Sequence, residues 1–407
     1  MEKKTYALTG VTGLLGRNVF FEIIKDNLKN LKDLEFIVLG RSYSNDSLQK
    51  RIKDIFLSEG MNYLSVNSEK QLELDSFFET NITYVDINLS TTDIITKTER
   101  SKLIGQSINY FFHIAASTEF GDDAQVIETL NQQNVEGTIQ IINLCKDLTI
   151  KEFCYVSSAY ACGKTYGEIS PDYSNINQSF RNHYEKTKLQ GELLVRKYQE
   201  LTGVRCRIFR PSIIVGKLIE NIKGEVSKFD TIYGWAYFFL KWKIKNEANV
   251  TTSVYDKNVT VKLRIALNTN TGLNLVPVDF VAKMMYQVCK TDLKGDYFHL
   301  VNNQETNNAF AIKKIFKLFN ITGYELVDSI PEDLNPLESF YYKTIGSIFT
   351  PYITQKEIIF NTDNLNEIYT QQNLQCPEIN DDNLQLLLDY AKSKNFGLMT
   401  ENEIKNV

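Results

Sequence analysis

Metal-binding chemistry is scarce in this chain. It has three histidines, His113, His183 and His299, and six cysteines, Cys145, Cys154, Cys162, Cys206, Cys289 and Cys376. None forms a C-x-x-C pair or keeps the ligand spacing of a zinc site, so no metal centre is expected. Scattered thiols of this kind read as the reduced cysteines of a cytoplasmic protein. A basic excess is missing too: 45 Lys and Arg stand against 50 Asp and Glu, a formal net charge of −5. A phosphate-binding face normally needs that excess, which excludes nucleic acid as the main partner but leaves room for a local cationic pocket. No apolar run approaches the roughly 20 residues that span a bilayer, so no transmembrane segment is expected. A signal peptide would have to consume the first motif, which begins by Thr9. Low-complexity linkers and internal repeats are also absent. What remains is 43 % hydrophobic and 23 % charged over 407 residues, enough for a packed core in one large or two fused domains.

The first half alternates strands and helices. Thr5–Leu8, Glu35–Leu39, Ile82–Asp86, Tyr110–Ile114 and Glu152–Ser157 read as buried strands, with helices from about Leu14 to Lys29 and from Ala124 to Leu148. That order predicts a Rossmann-type, doubly wound parallel α/β sheet whose ligand site lies at the carboxyl ends of the strands. Regularity fades after Gly216. Pieces at Val259–Ala266, Phe280–Cys289, Tyr297–Val301 and Ala311–Leu318 follow, and from Pro331 onward the chain reads as helices joined by polar loops. The expected division is a dinucleotide domain over 1–215, with part of 270–302 returning to it, and a smaller substrate-binding lobe over 216–407.

Three stretches carry chemistry. Thr9-Gly-Val-Thr-Gly-Leu-Leu-Gly16 follows a strand and opens a helix, the context in which glycines bring backbone N–H groups up to a pyrophosphate. At the end of the second strand stands Gly40-Arg41-Ser42, a guanidinium and a hydroxyl where an NAD-selective fold commonly has a carboxylate. That pair suits a 2′-phosphate and points to NADPH rather than NADH. Tyr184 and Lys188 are one helical turn apart and share a face. An ammonium beside a phenol is expected to lower the phenol's pKa. Upstream, Val156-Ser157-Ser158-Ala159-Tyr160 places hydroxyls at the end of the fifth strand.

With these residues in order, the sequence resembles the extended (TGxxGxxG) branch of the short-chain dehydrogenase/reductase superfamily. Within it, the chain is most similar to the thioester-reductase and fatty acyl-CoA reductase (male sterility NAD-binding) group. Further stretches join the resemblance: Arg41 followed by Leu48, Arg51, Ile52 and Ile55; His113-Ile-Ala-Ala116; Asn134-Val-Glu-Gly-Thr138; Arg210-Pro-Ser-Ile-Ile-Val-Gly216; and Val276-Pro-Val-Asp-Phe-Val-Ala282. It implies Ser158, Tyr184 and Lys188 as catalytic residues. Ser158 would bond the substrate oxygen, Tyr184 would share a proton with it, and Lys188 would bind the nicotinamide ribose and tune Tyr184. Gly10, Thr12, Gly13, Leu14, Leu15 and Gly16 would line the pyrophosphate. Arg41 and Ser42 would meet the 2′-phosphate, and Ala115 and Ala116 the ribose side. Asp86 and Ile87 would lie near the adenine, with Asn88 the alternative to Asp86, and Pro211, Ser212 and Ile213 beside the nicotinamide. His113 is not expected to act as a base, and Asn134 is expected to fix helix and strand geometry.

The resemblance implies an NADPH-dependent reductase of an acyl thioester, giving aldehyde or alcohol from acyl-CoA or from an acyl group on a separate acyl or peptidyl carrier protein. A nucleotide-sugar epimerase or dehydratase, or a hydroxysteroid-type dehydrogenase, would use the same machinery. Ala161-Cys162-Gly163, where sugar enzymes commonly have Val-Tyr-Gly, weighs against the sugar reading. A non-catalytic NADP-binding regulator is the third reading. Two local patterns have plainer explanations. Asn45-Asp46-Ser47-Leu48 resembles a carrier-protein attachment site but reads as a turn and helix cap. The aromatic run Tyr233–Trp242 reads first as a core helix, then as a wall of an acyl channel, then as a membrane-surface element.

Overall fold

The computed structural model describes residues 3–246 and 254–398. Seven strands form its central sheet: β1 (Lys4–Thr9), β2 (Leu34–Gly40), β3 (Ile82–Asp86), β4 (Ser107–His113), β5 (Thr149–Val156), β6 (Arg205–Pro211) and β7 (Tyr297–Leu300). They lie in the order β7-β6-β5-β4-β1-β2-β3, and every neighbouring pair is parallel. These strands read as continuous apolar runs because both faces are covered. Tyr6 and Leu8 of β1 join Phe36, Val38, Phe112 and Phe209 on one face, while Ala7 joins Ile37, Leu39, Phe111 and Phe153 on the other. Strand order reverses between β1 and β4, which opens a crevice at their carboxyl ends.

Helix α1 (Leu14–Asp26) leaves the glycine turn and packs on the first face beside α6 (Val278–Lys290). Lys283 bonds Glu22 at 3.0 Å, and Lys290 bonds Asp26 at 2.8 Å, across that contact. Helix α2 (Leu48–Ile55) starts at Ser47, whose side chain accepts from the Lys50 amide, so the Asn45–Leu48 run is a helix cap. The opposite face carries α3 (124–144) and α4 (His183–Thr202), which contribute Ile141, Leu144, Val195 and Tyr198 to the core. Arg210 of β6 is fully buried and pairs with Glu192 of α4 at 2.6 Å. Removing either partner would strand a buried charge, so this pair fixes the seat of α4 on the sheet.

Two elements depart from the sequence reading. The helix expected over 124–148 is broken. The α-helical parts of α3, Ala124–Leu130 and Gly137–Leu144, flank a π-helical turn at Asn131–Glu136. A tight turn at Cys145–Asp147 then leads into β5. The C-terminal stretch is not purely helical, because Ile358–Phe360 pairs in parallel with Gly167–Ile169 and sews that stretch to the β5–α4 connection.

A second core joins Tyr160 and Ile169 to residues from the 218–273 and 309–396 stretches, with Val259–Ala266 and Ile321–Val327 paired in parallel. The aromatic run forms α5 (Ile232–Asn246). Tyr233, Trp235 and Phe239 are buried in that core, and Trp235 stacks on Phe349 of α7 (Ile345–Ile353) at 5.1 Å. Among the described residues, no helix is long and apolar enough to cross a membrane.

Candidate active site

The glycine turn has the shape that its spacing demands. Gly10 has φ +77°, and a Cβ there would lie 2.8 Å from the Ala115 amide nitrogen. A Cβ on Gly16 would come within 2.1 Å of the Gly10 carbonyl oxygen, so α1 approaches the turn as only glycine allows. Gly13 caps α1 with no side chain to bond its first amides, which leaves N–H donors at the crevice. Thr9 ties β1 to β4: its Oγ1 accepts from the amides of Ile114 (3.0 Å) and Ala115 (3.1 Å). The same hydroxyl then has its proton for His113 Nδ1, 2.9 Å away, so His113 carries its proton on Nε2, facing Thr138 Oγ1 at 3.2 Å. Burial and the nearby Lys188 charge drive His113 down to about 3, so it stays neutral and structural.

A cavity of about 610 Å³ runs along the carboxyl ends of the strands. Gly10, Thr12, Gly13, Leu14, Leu15 and Gly16 line one stretch of it, and Ala115 and Ala116 face them. Gly40 and Arg41 line the outer end with Ile87. Pro211, Ser212 and Ile213 line the inner end together with Ser158, Tyr184 and Lys188. Ser42 and Asp86 lie off this lining. Asp86 Oδ1 accepts from the Ser42 amide at 2.9 Å, and Ser42 Oγ accepts from the Leu48 amide at 3.1 Å, so both side chains serve the loop between β2 and α2. Asn88, Leu89 and Ser90 take the cavity wall beyond Ile87.

Ser158 arrives from the end of β5, and Tyr184 and Lys188 arrive together on α4. Ser158 follows β5 by two residues, and its hydroxyl accepts from the Tyr160 amide at 3.2 Å. Tyr184 and Lys188 occupy the first and second turns of α4. The first turn is held from the π-helical side, where His183 Nε2 meets Asn131 Oδ1 at 3.0 Å. Asn134, fully buried in the π turn, accepts from the Ser117 amide at 2.8 Å and donates to the Ser117 carbonyl and to Thr187 Oγ1, each at 3.1 Å. The extra residue of the π turn brings both asparagines against α4, a recurrent use of such bulges at functional sites.

The electrostatics correct one expectation. Tyr184 is pushed up, not down: loss of water raises its pKa, Asp230 and Glu185 add to the rise, and the Ser158 hydroxyl opposes it. Lys188 is itself desolvated, 2 % exposed and driven down to about 7, with Glu192 opposing. Its Nζ lies 4.6 Å from the centre of the Tyr155 ring. The shift favours the neutral phenol of Tyr184.

Other cavity residues carry no local sequence signal. Phe120 packs on Tyr184 with ring centres 5.2 Å apart. Lys228 donates to Thr118 Oγ1 at 2.5 Å and pairs with Asp230 at 2.7 Å, and all three line the cavity. From the second core come Leu273, Ile345, Ile348, Phe349 and Tyr352, an apolar end beyond Ser158. The residues fit a nicotinamide dinucleotide: a glycine cradle that any Cβ would fill, free amides at a helix start, and a lining serine, Ser157, whose buried hydroxyl has no partner among the described residues.

The sequence model of the male sterility protein family, an NAD-binding family, matches residues 8–285. Fatty acyl-CoA reductase 1 of Pongo abelii is 22 % identical over 428 aligned positions, covering 91 % of this chain and 79 % of that protein. A linear gramicidin synthase polypeptide of Brevibacillus parabrevis is 22 % identical over 300, covering 70 % of this chain; the match spans only 5 % of the synthase. Among solved structures, the terminal R domain of the myxalamid PKS-NRPS pathway aligns with TM-score 0.65 at 18 % identity, over 97 % of this chain and 92 % of that one. A thiolation-reductase di-domain from an archaeal non-ribosomal peptide synthetase gives 0.62 at 16 %, with the same coverage. The UDP-glucuronic acid 4-epimerase of Bacillus cereus, in complex with NAD, gives 0.56 at 16 %, over 97 % of this chain and 99 % of that one. At these identities the structural likenesses establish a shared fold.

Proposed function

Since this chain belongs to the male sterility protein family and is an NAD(P)-dependent oxidoreductase of the short-chain dehydrogenase/reductase type, we propose that it reduces an acyl thioester with NADPH. The observation that carries the reading is the convergence of Ser158, protonated Tyr184 and Lys188 on one cavity whose far end is apolar. In this reading residues 1–215, with part of 270–302, hold the cofactor, and the remainder of 216–407 shapes the substrate end. Gly10 to Gly16 receive the pyrophosphate, Arg41 the 2′-phosphate, Ala115 and Ala116 the ribose side, and Pro211 to Ile213 the nicotinamide face. Bound NADPH supplies a hydride to the thioester carbonyl carbon.

The chain's own part is to receive the charge that appears on the carbonyl oxygen. Ser158 donates a hydrogen bond to that oxygen, and Tyr184, a neutral phenol in the fold, gives it a proton. Lys188, once it binds the ribose hydroxyls as an ammonium, draws Tyr184 back toward the range where it can release that proton. The resulting hemithioacetal loses its thiol and leaves an aldehyde; a second round at the same residues gives an alcohol. The thioester comes as acyl-CoA or on a separate carrier protein. Supporting the carrier source is the likeness to the R domain and the thiolation-reductase di-domain named above.

The epimerase reading has the likeness to the UDP-glucuronic acid 4-epimerase in its favour. It asks for cations around a diphosphate, whereas the substrate end is walled by Leu273, Ile345, Ile348 and Phe349, and Lys228 is already paired with Asp230. Tyr184→Phe separates function from binding: thioester-dependent NADPH oxidation should collapse by roughly a hundredfold or more while NADPH affinity stays as it was. Undiminished turnover in that variant would remove Tyr184 from the reaction.

A further inference from the structure

The residue after Tyr184 is a glutamate that no solvent reaches. Glu185 stands at the third position of α4, its side chain fully buried, and pairs with Arg181 at 3.1 Å, a guanidinium only 3 % exposed. A helix's first turn is held weakly by its own backbone, because its amides lack intrahelical partners. Here the cap residue fills one of those gaps, and Glu185 ties in the residue ahead of the cap. Asn182 Oδ1 accepts from the Glu185 amide at 3.0 Å, and Glu185 Oε2 accepts from the Arg181 amide at 3.0 Å. Further bonds cross to the C-terminal lobe, and one reaches the β5–α4 connection. Tyr352 of α7 donates its hydroxyl proton to Glu185 Oε1 at 2.8 Å and accepts from Asn182 Nδ2 at 2.7 Å. Arg181 Nε donates to Gln355 Oε1 at 2.9 Å, Nη1 donates to the Gly163 carbonyl at 2.7 Å, and the guanidinium lies against the rings of both Tyr160 and Tyr352. Tyr160 and Tyr352 meet edge to face at 5.3 Å, and both line the cavity.

A buried ion pair is costly to assemble, and hydrophobic side chains often fill the same space at no loss of stability. Its placement directly beside Tyr184, bonded across to Tyr352 and Gln355 of the C-terminal lobe, suggests what it is for. We propose that Glu185 is a positioning residue for Tyr184, held from the C-terminal lobe by the Tyr352 hydroxyl, so that proton delivery depends on the docking of α7. The inference rests on the reading of Tyr184 as the proton donor. It differs from a simple stability role in one respect: a phenol displaced by a fraction of an ångström still leaves the cofactor site intact but loses the reacting geometry.

Tyr352→Phe is the first test, since it keeps the ring, the cavity wall and the guanidinium contact and removes only the hydroxyl. Glu185→Gln is the second. Active enzyme is counted by NADPH titration, so partial unfolding does not enter the rate. Expected for each is a fall in kcat per cofactor-binding site of roughly ten- to a hundredfold, with the KM for thioester and the affinity for NADPH unchanged. The double variant should be no slower than the slower single, because both break one chain of contacts. Should Glu185→Gln fail to fold, the Tyr352→Phe rate and its KM-against-kcat split decide alone. Unchanged kcat per site in Tyr352→Phe, or losses that multiply in the double variant, overturn the proposal. Failure of the function reading looks different: wild-type protein would turn over another carbonyl or a nucleotide sugar instead of any thioester, and the same variants are then compared on that turnover.

Discussion

Arg41→Ala is the sharpest probe of cofactor choice. Arg41 ends β2 at the rim of the cavity, exposed, with Nη2 donating to the Tyr43 hydroxyl at 2.9 Å. Arg51 lies against the same ring, 4.7 Å from its centre, and its Nη1 donates to the Arg41 carbonyl at 2.5 Å. At this end Asp86 Oδ1 accepts from the Ser42 amide at 2.9 Å and lies off the cavity lining. A hydrogen bond to a charged group contributes about 1.5–3 kcal/mol, which corresponds to roughly 10- to 150-fold in Kd. Exposure and salt screening put Arg41 near the lower end, so about tenfold is expected at physiological ionic strength and more at low salt. Fluorescence titration of NADPH and NADH against wild type, Arg41→Ala and Arg41→Ala/Arg51→Ala measures this. NADPH should weaken in the single variant and further in the double, its salt dependence flattening, while NADH is unmoved. Equal loss for both cofactors would refute a 2′-phosphate at Arg41.

Two further outcomes follow from the same geometry. Gly16→Ala pushes a methyl into backbone atoms of Gly10, which cannot yield as a side chain would; overpacking of this kind costs about 1–3 kcal/mol. Its denaturant midpoint should drop and its NADPH binding should vanish, and normal binding would contradict the cradle. Lys188 falls from 10.5 in water to about 7 in the fold, so between those values the unfolded chain holds a proton that the folded chain has lost. Its contribution to stability therefore rises with pH across that window and is least favourable below about 7. Cofactor binding runs the other way, because the ribose needs the ammonium: NADPH affinity should fall as pH climbs past about 7, by at most about tenfold per pH unit. Lys188→Met should abolish that dependence; a variant that keeps it would place the titrating group elsewhere.

The sheet was legible because its chemistry is local. Strands buried on both faces announce themselves as apolar runs, and the glycine turn sits between the first of them and α1. What escaped is non-local. Nothing in the periodicity of residues 124–148 separates a π turn from an α turn, since Asn131 and Asn134 owe that geometry to His183 and Ser117. Ser42 and Asp86 stand at ligand positions along the chain, yet their side chains accept from loop amides and lie off the cavity lining. The direction of the Tyr184 shift was missed because spacing reports proximity and not desolvation. Glu185 reads along the chain as one more helix-surface acid; only Arg181 and Tyr352, the latter 167 residues away, reveal it as buried. Of the aromatic run, the core-helix reading holds for Tyr233, Trp235 and Phe239, while Gly234 is the α5 residue that lines the cavity.

Isotope transfer reaches the central claim most directly. With NADPH carrying deuterium on the transferred position of C4 and an acyl-CoA series as substrate, product mass and free thiol are measured together. The account predicts one deuterium on the former carbonyl carbon and one thiol released per first NADPH oxidised. Unlabelled product, or label without thiol release, would contradict it.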